Sequence, residues 1–286
     1  MTPSTRNDDA LRRLEPYLVA SPWHLDLFDL EPMGFEIERV NLVDPTRLDA
    51  EMMFDRLGAL DAMTFGPEGM PMPRWLFYEA SALPGGIFGF ATRAETLTQD
   101  LRDRLGLASG AEGLVPVSMY IAIPADAPGV WCGHNLASLN RVVPELKLSG
   151  LASITKAVAL RCFRCEEQIG ATQWDSKALF VHTKFGPLEL HTAWTPAHAF
   201  PATLTYRLRV TEAGVRNAMG DPDAPVIDRP KPDFEIAADD TGAMQGLQKR
   251  IEAGERFVIA GPPRLGTDRL QHVPVAAVRE ETTTSA

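Results

Sequence analysis

A chain of 286 residues with 45% hydrophobic content can bury a sizeable core, as one large domain or two smaller ones. Its 38 acidic and 28 basic residues give a formal charge of -10, and no basic run extends beyond pairs such as Arg12-Arg13, which argues against nucleic acid as a partner. No run of ~18 apolar residues occurs and the first residues hold no apolar leader-like stretch, so no membrane is expected and the chain reads as cytoplasmic.

Residues 7–20 read as a short helix, with Asn7 or Asp8 as cap and Leu11, Leu14 and Leu18 on one stripe. Phe35, Ile37 and Val40 suggest a strand, and Asp44-Pro45 opens an expected helix over 46–59. The stretch Gly66-Pro67-Glu68-Gly69-Met70-Pro71-Met72-Pro73 is a turn-rich loop, either a boundary or a lid. Residues 75–82 and 86–92 read as strands around the Pro84-Gly85-Gly86 turn, 94–107 as a helix with Leu97, Leu101 and Leu105 in register, and 115–123 as a further strand.

The stretch 151–165 admits two readings. On a helix, Leu151, Ile154, Val158, Cys162 and Cys165 share one stripe, which makes both thiols core residues and leaves Lys156 off the stripe and solvated. On a strand, Lys156 would share an apolar face with Ile154, Val158 and Leu160, and its pKa would fall. The alanine content favours the helix. A zinc site built from Cys132, His134, Cys162 and Cys165, whose spacing loosely resembles the zinc-dependent nucleoside and nucleobase deaminases, is the weaker alternative, because His134 stands where that chemistry needs a proton-shuttling glutamate. With three cysteines in all, a disulfide scaffold is not expected.

Residues 179–194 read as a β-hairpin turning at Gly186-Pro187, which would place His182 opposite His191 and Lys184 opposite Glu189 on one polar face. Such a face suits proton transfer or a metal, and equally suits an ordinary solvated surface with one ion pair. Downstream, Leu204, Tyr206, Leu208 and Val210 alternate with Thr203, Thr205, Arg207 and Arg209, the period of a strand with one wet face. Residues 221–233 should form an exposed loop, and 280–286 a disordered tail. The expected class is α+β: strand-rich, largely antiparallel, with a few flanking helices.

Several short motifs keep a shared order. Ile87-Phe-Gly-Phe-Ala-Thr-Arg93, the leucines of 97–105 and the strand of 117–123 are followed by Gly133-His-Asn-Leu-Ala-Ser138, Ile169-Gly-Ala-Thr-Gln-Trp174, Gly261-Pro-Pro-Arg-Leu265 and Pro274-Val275. This series resembles the acetoacetate decarboxylases over roughly residues 75–280. The resemblance implies a β-cone or barrel over 73–279, preceded by a segment of 1–72 packing on it. It also implies a small keto acid or related carbonyl compound as substrate or ligand. That family's imine-forming lysine would fall at Arg141 or Val142, and an arginine stays protonated and cannot form the imine. A true acetoacetate decarboxylase is therefore not expected, unless Lys147 or Lys156 has taken over the role.

Three functions stay open at this point. An enzyme of the resembled kind would use Arg141 to hold a carboxylate and His134 or His182 to move protons. A non-catalytic binding protein would line its pocket with Trp131, Trp174 and Trp194. A metal-dependent hydrolase or lyase would need His182, His191 and a third ligand such as His198 or Glu189. The residues carried forward are Arg141, His134, Lys156, His182, His191 and Glu189, with no cofactor and no resident metal assigned, and with a homo-oligomer left open.

Overall fold

The computed structural model describes residues 13–30, 40–267 and 269–279, which fall into two compact units. The expected helix cap near Asn7, the strand centred on Phe35 and the tail 280–286 lie outside the described residues.

The first unit spans residues up to 166 and takes in 218–224. Its first strand, β1 (Glu15–Val19), replaces the second half of the expected N-terminal helix. Tyr17, Leu18, Val19 and Ala20 have no exposed surface. Four successive buried side chains suit a strand covered on both faces, whereas a surface helix would bury only one stripe. Pro16, which would break a helix interior, is tolerated at the strand's start, because the parallel pairing with β2 (Asn41–Val43) begins one residue later at Tyr17.

The helix expected after Asp44-Pro45 forms as a short turn and then α1 (Glu51–Phe65), which buries Met53, Phe54, Leu57, Leu60 and Asp61. The turn-rich stretch follows as a 3-10 turn and loop, with Gly69 in the left-handed region. Residues 75–82, expected as a strand, belong to α2 (Arg74–Ala82). Its burial is helical, with Phe77, Ala80 and Ser81 inward at i, i+3 and i+4, while Trp75 and Tyr78 face out.

Beyond α2 come β3 (Gly86–Arg93), the short α3 (Gln99–Arg104), β4 (Leu114–Pro116), β5 (Ser118–Pro124), β6 (Val130–Ser138) and α4 (Leu151–Cys162). The expected strand of 115–123 is thus divided at Val117, and the helix of 94–107 is reduced to one 3-10 turn and α3. The strands of this unit run in the order β2-β1-β3-β5-β6, with β4 paired to β3, and every pairing except β1 to β2 is antiparallel.

The second unit covers 167–217 and residues from 225 onward. It holds β7 (Glu167–Gln173), α5 (Ala178–His182), β8 (Leu188–Thr192) and β9 (Thr203–Arg209), after which α6 (Glu212–Met219) carries the chain away. The chain returns through the expected exposed loop into β10 (Phe234–Ala237), α7 (Thr241–Glu252), β11 (Phe257–Ile259), β12 (Arg264–Leu265) and β13 (Gln271–Ala277). The order is β7-β9-β8-β11-β13-β10, all antiparallel, with β12 on β13. The α+β, strand-rich and mostly antiparallel class is therefore present. In neither unit do the end strands pair with each other, so the strand path is open where the resemblance implied a cone or barrel.

Candidate functional site

The hairpin expected over 179–194 is absent. Residues 178–182 form α5, whose first turn is held by Ser176 Oγ accepting from the Ala178 amide at 3.1 Å. Thr183 Oγ1 donates back to the Leu179 carbonyl at 2.6 Å. The partners of β8 are β9 and β11, and residues 178–182 are helical, so His182 never faces His191. His182 is buried, its ring 5.3 Å from that of Tyr206, and Tyr206 pairs with Leu190. Glu189 pairs with Arg207 and lies on the opposite face of β8 from Leu190, where Arg256 donates to it at 2.8 Å. His191 falls between two successive register pairs, as the extra residue of a bulge, and is exposed. Lys184 is half-buried with its pKa lowered by that burial. The polar face that suggested chemistry is thereby dispersed, and no three His, Cys, Asp or Glu side chains converge as a metal site among the described residues.

The remaining expected residues lie in the first unit. Asn135 pairs with Ile121 and Gly133 with Ala122, which leaves His134 as the extra residue of a bulge in β6. His134-Asn135 is therefore mid-strand and caps no helix. The register also assigns faces. Ser118, Tyr120, Leu136 and Ser138 share one side, because residues directly paired across an antiparallel ladder point the same way. Helix α4 covers that side: Thr155 Oγ1 donates to Ser118 Oγ at 2.7 Å, and the Phe163 ring, just past α4, stacks on Tyr120 and Trp131. Asn135 and Ile121 point to the other side, where α1 lies.

On the α1 side, Asn135 Nδ2 donates to Asp61 Oδ1 at 2.9 Å, and the Met72 amide donates to Asp61 Oδ2 at 2.6 Å. Asp61 is buried, and its pKa is raised first of all by that burial, against the two donors and the nearby His134, which pull it down. His134 is exposed as a residue, yet partial burial of its ring lowers its pKa, and the Asp61 charge opposes this. A bulge lets two consecutive side chains lean the same way, which is how His134 and Asn135 both come to lie beside Asp61. Sequence reasoning missed Asp61, although an acid at i+4 from Leu57, within an apolar helix face, was the signal available.

On the other side, Lys156 sits in the second turn of α4 and is fully buried. The helical reading holds, but the expectation that a helical Lys156 would be solvated is overturned. Ten of the twelve residues of α4 are buried, so the helix has no wet side to offer. Burial lowers the ammonium's pKa from 10.5 to about 7, with Cys165 close enough to oppose the shift in part. All three cysteines are free thiols. Lys156 and His134 thus lie on opposite faces of one sheet and do not form one centre.

The connection from β6 to α4 carries Arg141 in an exposed turn and Lys147 in the left-handed region. Neither side chain takes part in a hydrogen bond or ion pair among the described residues. The connection ends at Gly150, the N-cap of α4, with φ of 79°, no side-chain cap and no acid in the first turn. Positive φ is the reason for a glycine there. Trp131 is packed in the first unit, and Trp174 is enclosed in the second with its Nε1 donating to the Ala193 carbonyl at 2.8 Å. The expected tryptophan-lined pocket thus has two of its members engaged in separate cores.

Compared with known protein families and with curated proteins, the chain matches none.

Proposed function

We propose that the chain binds, and acts on, a small anionic carbonyl compound of the keto acid class at the β6–α4 connection of its first unit. One observation carries this reading: an uncapped helix N-terminus, entered through a left-handed glycine, is joined to the sheet by a segment bearing two cations without partners among the described residues. The N-terminal partial charge of a helix favours an anion, and the absence of any acid in the first turn leaves that preference uncancelled. Arg141, expected to hold a carboxylate, lies on this segment.

Lys156 adds the chemistry. By the helical rise its Cα lies ~9 Å along α4 from Gly150, and helical side chains lean back toward the N-terminus. With a pKa of about 7, a large share of the amine is neutral near neutral pH. The nitrogen adds to the carbonyl carbon and water leaves, giving a protonated imine. In a β-keto acid that imine takes up the electron pair of the bond to the departing carboxylate, released as carbon dioxide. Because Lys156 has no exposed surface, a substrate must displace some of the side chains that cover it.

The test is intact-protein mass spectrometry after incubation with acetoacetate and borohydride, beside Lys156→Ala and Lys147→Ala, with calorimetric titration of acetoacetate and of inorganic pyrophosphate. An adduct lost in Lys156→Ala supports the imine. Binding of either anion without an adduct, weakened in Arg141→Ala/Lys147→Ala, supports a non-catalytic anion-binding protein. Neither adduct nor binding overturns the reading.

A further inference from the structure

We infer that Asp61, Asn135 and His134 form a second binding site, on the α1 face of the same sheet, for a ligand carrying a primary ammonium group next to a small apolar body. The inference rests on which hydrogen-bonding positions are filled. Asp61 receives one donor on each oxygen, from Met72 and Asn135, where an ionised carboxylate can accept about four. The donor to Asp61 fixes the Asn135 amide with its nitrogen inward. That leaves Asn135 Oδ1 enclosed and accepting no hydrogen bond from the described residues. Both vacancies are acceptors. A buried acceptor without a donor is costly, and the group that satisfies an amide oxygen and a carboxylate together is a cation with several N–H donors.

The surroundings set the rest of the ligand. Leu57 and Leu60 flank Asp61 on α1, and the Met72 sulfur lies 3.4 Å from Asn135 Nδ2. Met70 and Met72 belong to the Gly- and Pro-rich loop, and flexible thioethers conform to varied apolar shapes. His134, exposed and next to Asn135 in β6, lies close enough to Asp61 for the two charges to interact. The site shares no residue with the β6–α4 connection, so it stands whether or not the proposed keto acid chemistry does.

Benzylamine is a suitable probe, with benzyl alcohol as its uncharged counterpart, titrated by calorimetry at pH 7.5. We expect saturable one-to-one binding of the amine only, weakened at least tenfold in Asp61→Asn and in Asn135→Leu and unchanged in Arg141→Ala. Because Asp61→Asn can also disturb folding, NMR of the wild-type chain supplies a second reading: the His134 ring resonances should shift on saturation with benzylamine, and those of His191 should not. Equal binding of the alcohol, undiminished binding in both variants, or an unmoved His134 would overturn the inference.

Discussion

Tyr17 on β1 donates its hydroxyl hydrogen to the Ser118 carbonyl on β5 at 2.8 Å, passing over the intervening strand β3 at Gly89. A Cβ at Gly89 would collide with both the Tyr17 hydroxyl and the Ser118 oxygen, so the glycine is a requirement of close approach. Gly89→Ala should lower stability by about 1–3 kcal/mol through overpacking alone. Tyr17→Phe should cost about 1 kcal/mol for the bond plus part of the penalty of an unsatisfied buried carbonyl. Urea midpoints at constant slope would show this. A neutral Gly89→Ala would mean that the three strands are not held as described.

His182 and Glu189 should separate as a packing residue and a surface residue. His182→Ala removes a buried ring packed on Tyr206 and should cost about 2–4 kcal/mol. Glu189→Gln only breaks an exposed pair with Arg256 and should change stability by at most about 1 kcal/mol. Neither should alter acetoacetate or pyrophosphate binding. A loss of that binding in Glu189→Gln with the midpoint unchanged would return function to the second unit.

The strands that carry their own signal were legible. The apolar run of β3 and the period-two pattern of β9 are local properties, and so is the helical content of α4. What stayed hidden depends on which elements pair and pack together. Residues 179–194 hold a plausible hairpin turn, but β8 finds β9 and β11 instead, and no local pattern announces that. A single apolar stripe puts Lys156 in solvent, whereas α4 is covered on nearly every side. The His134 bulge is likewise invisible until β5 supplies the register. Arg141 is legible as a cation on the proposed segment, but Gly150 becomes informative only through its φ.

The Met72 amide tests the Asp61 arrangement without any ligand. Its bond to Asp61 Oδ2 is charge-assisted and ties the loop after Gly69 to α1. In Asp61→Ala the Met72 amide should exchange with solvent at least tenfold faster than in wild type at the same pH, while amides in β3 and β5 keep their protection. Hydrogen-exchange mass spectrometry resolves a peptide over residues 69–74. Uniformly faster exchange across the unit would show instead that Asp61 supports the whole fold.

The buried amine of Lys156 makes stability depend on pH in a stated direction. Its pKa is about 7 in the folded chain and 10.5 in an ordinary environment, so between these values the unfolded chain binds the extra proton. Stability should therefore rise as the pH is raised from about 7 toward 10.5, and below about 7 the cost of burying the charge is borne in full and no longer changes with pH. Other groups also couple folding to pH in this range, including Cys162, whose thiol pKa burial pushes well above its ordinary value. Lys156→Met is therefore the proper reference, since it keeps the volume and removes the proton. The difference in urea midpoint between wild type and Lys156→Met should favour the methionine at pH 7 and shrink steadily toward pH 9.5. Parallel pH profiles for the two proteins would mean that Lys156 keeps its proton when folded, and with that the nucleophile required for the imine would be gone.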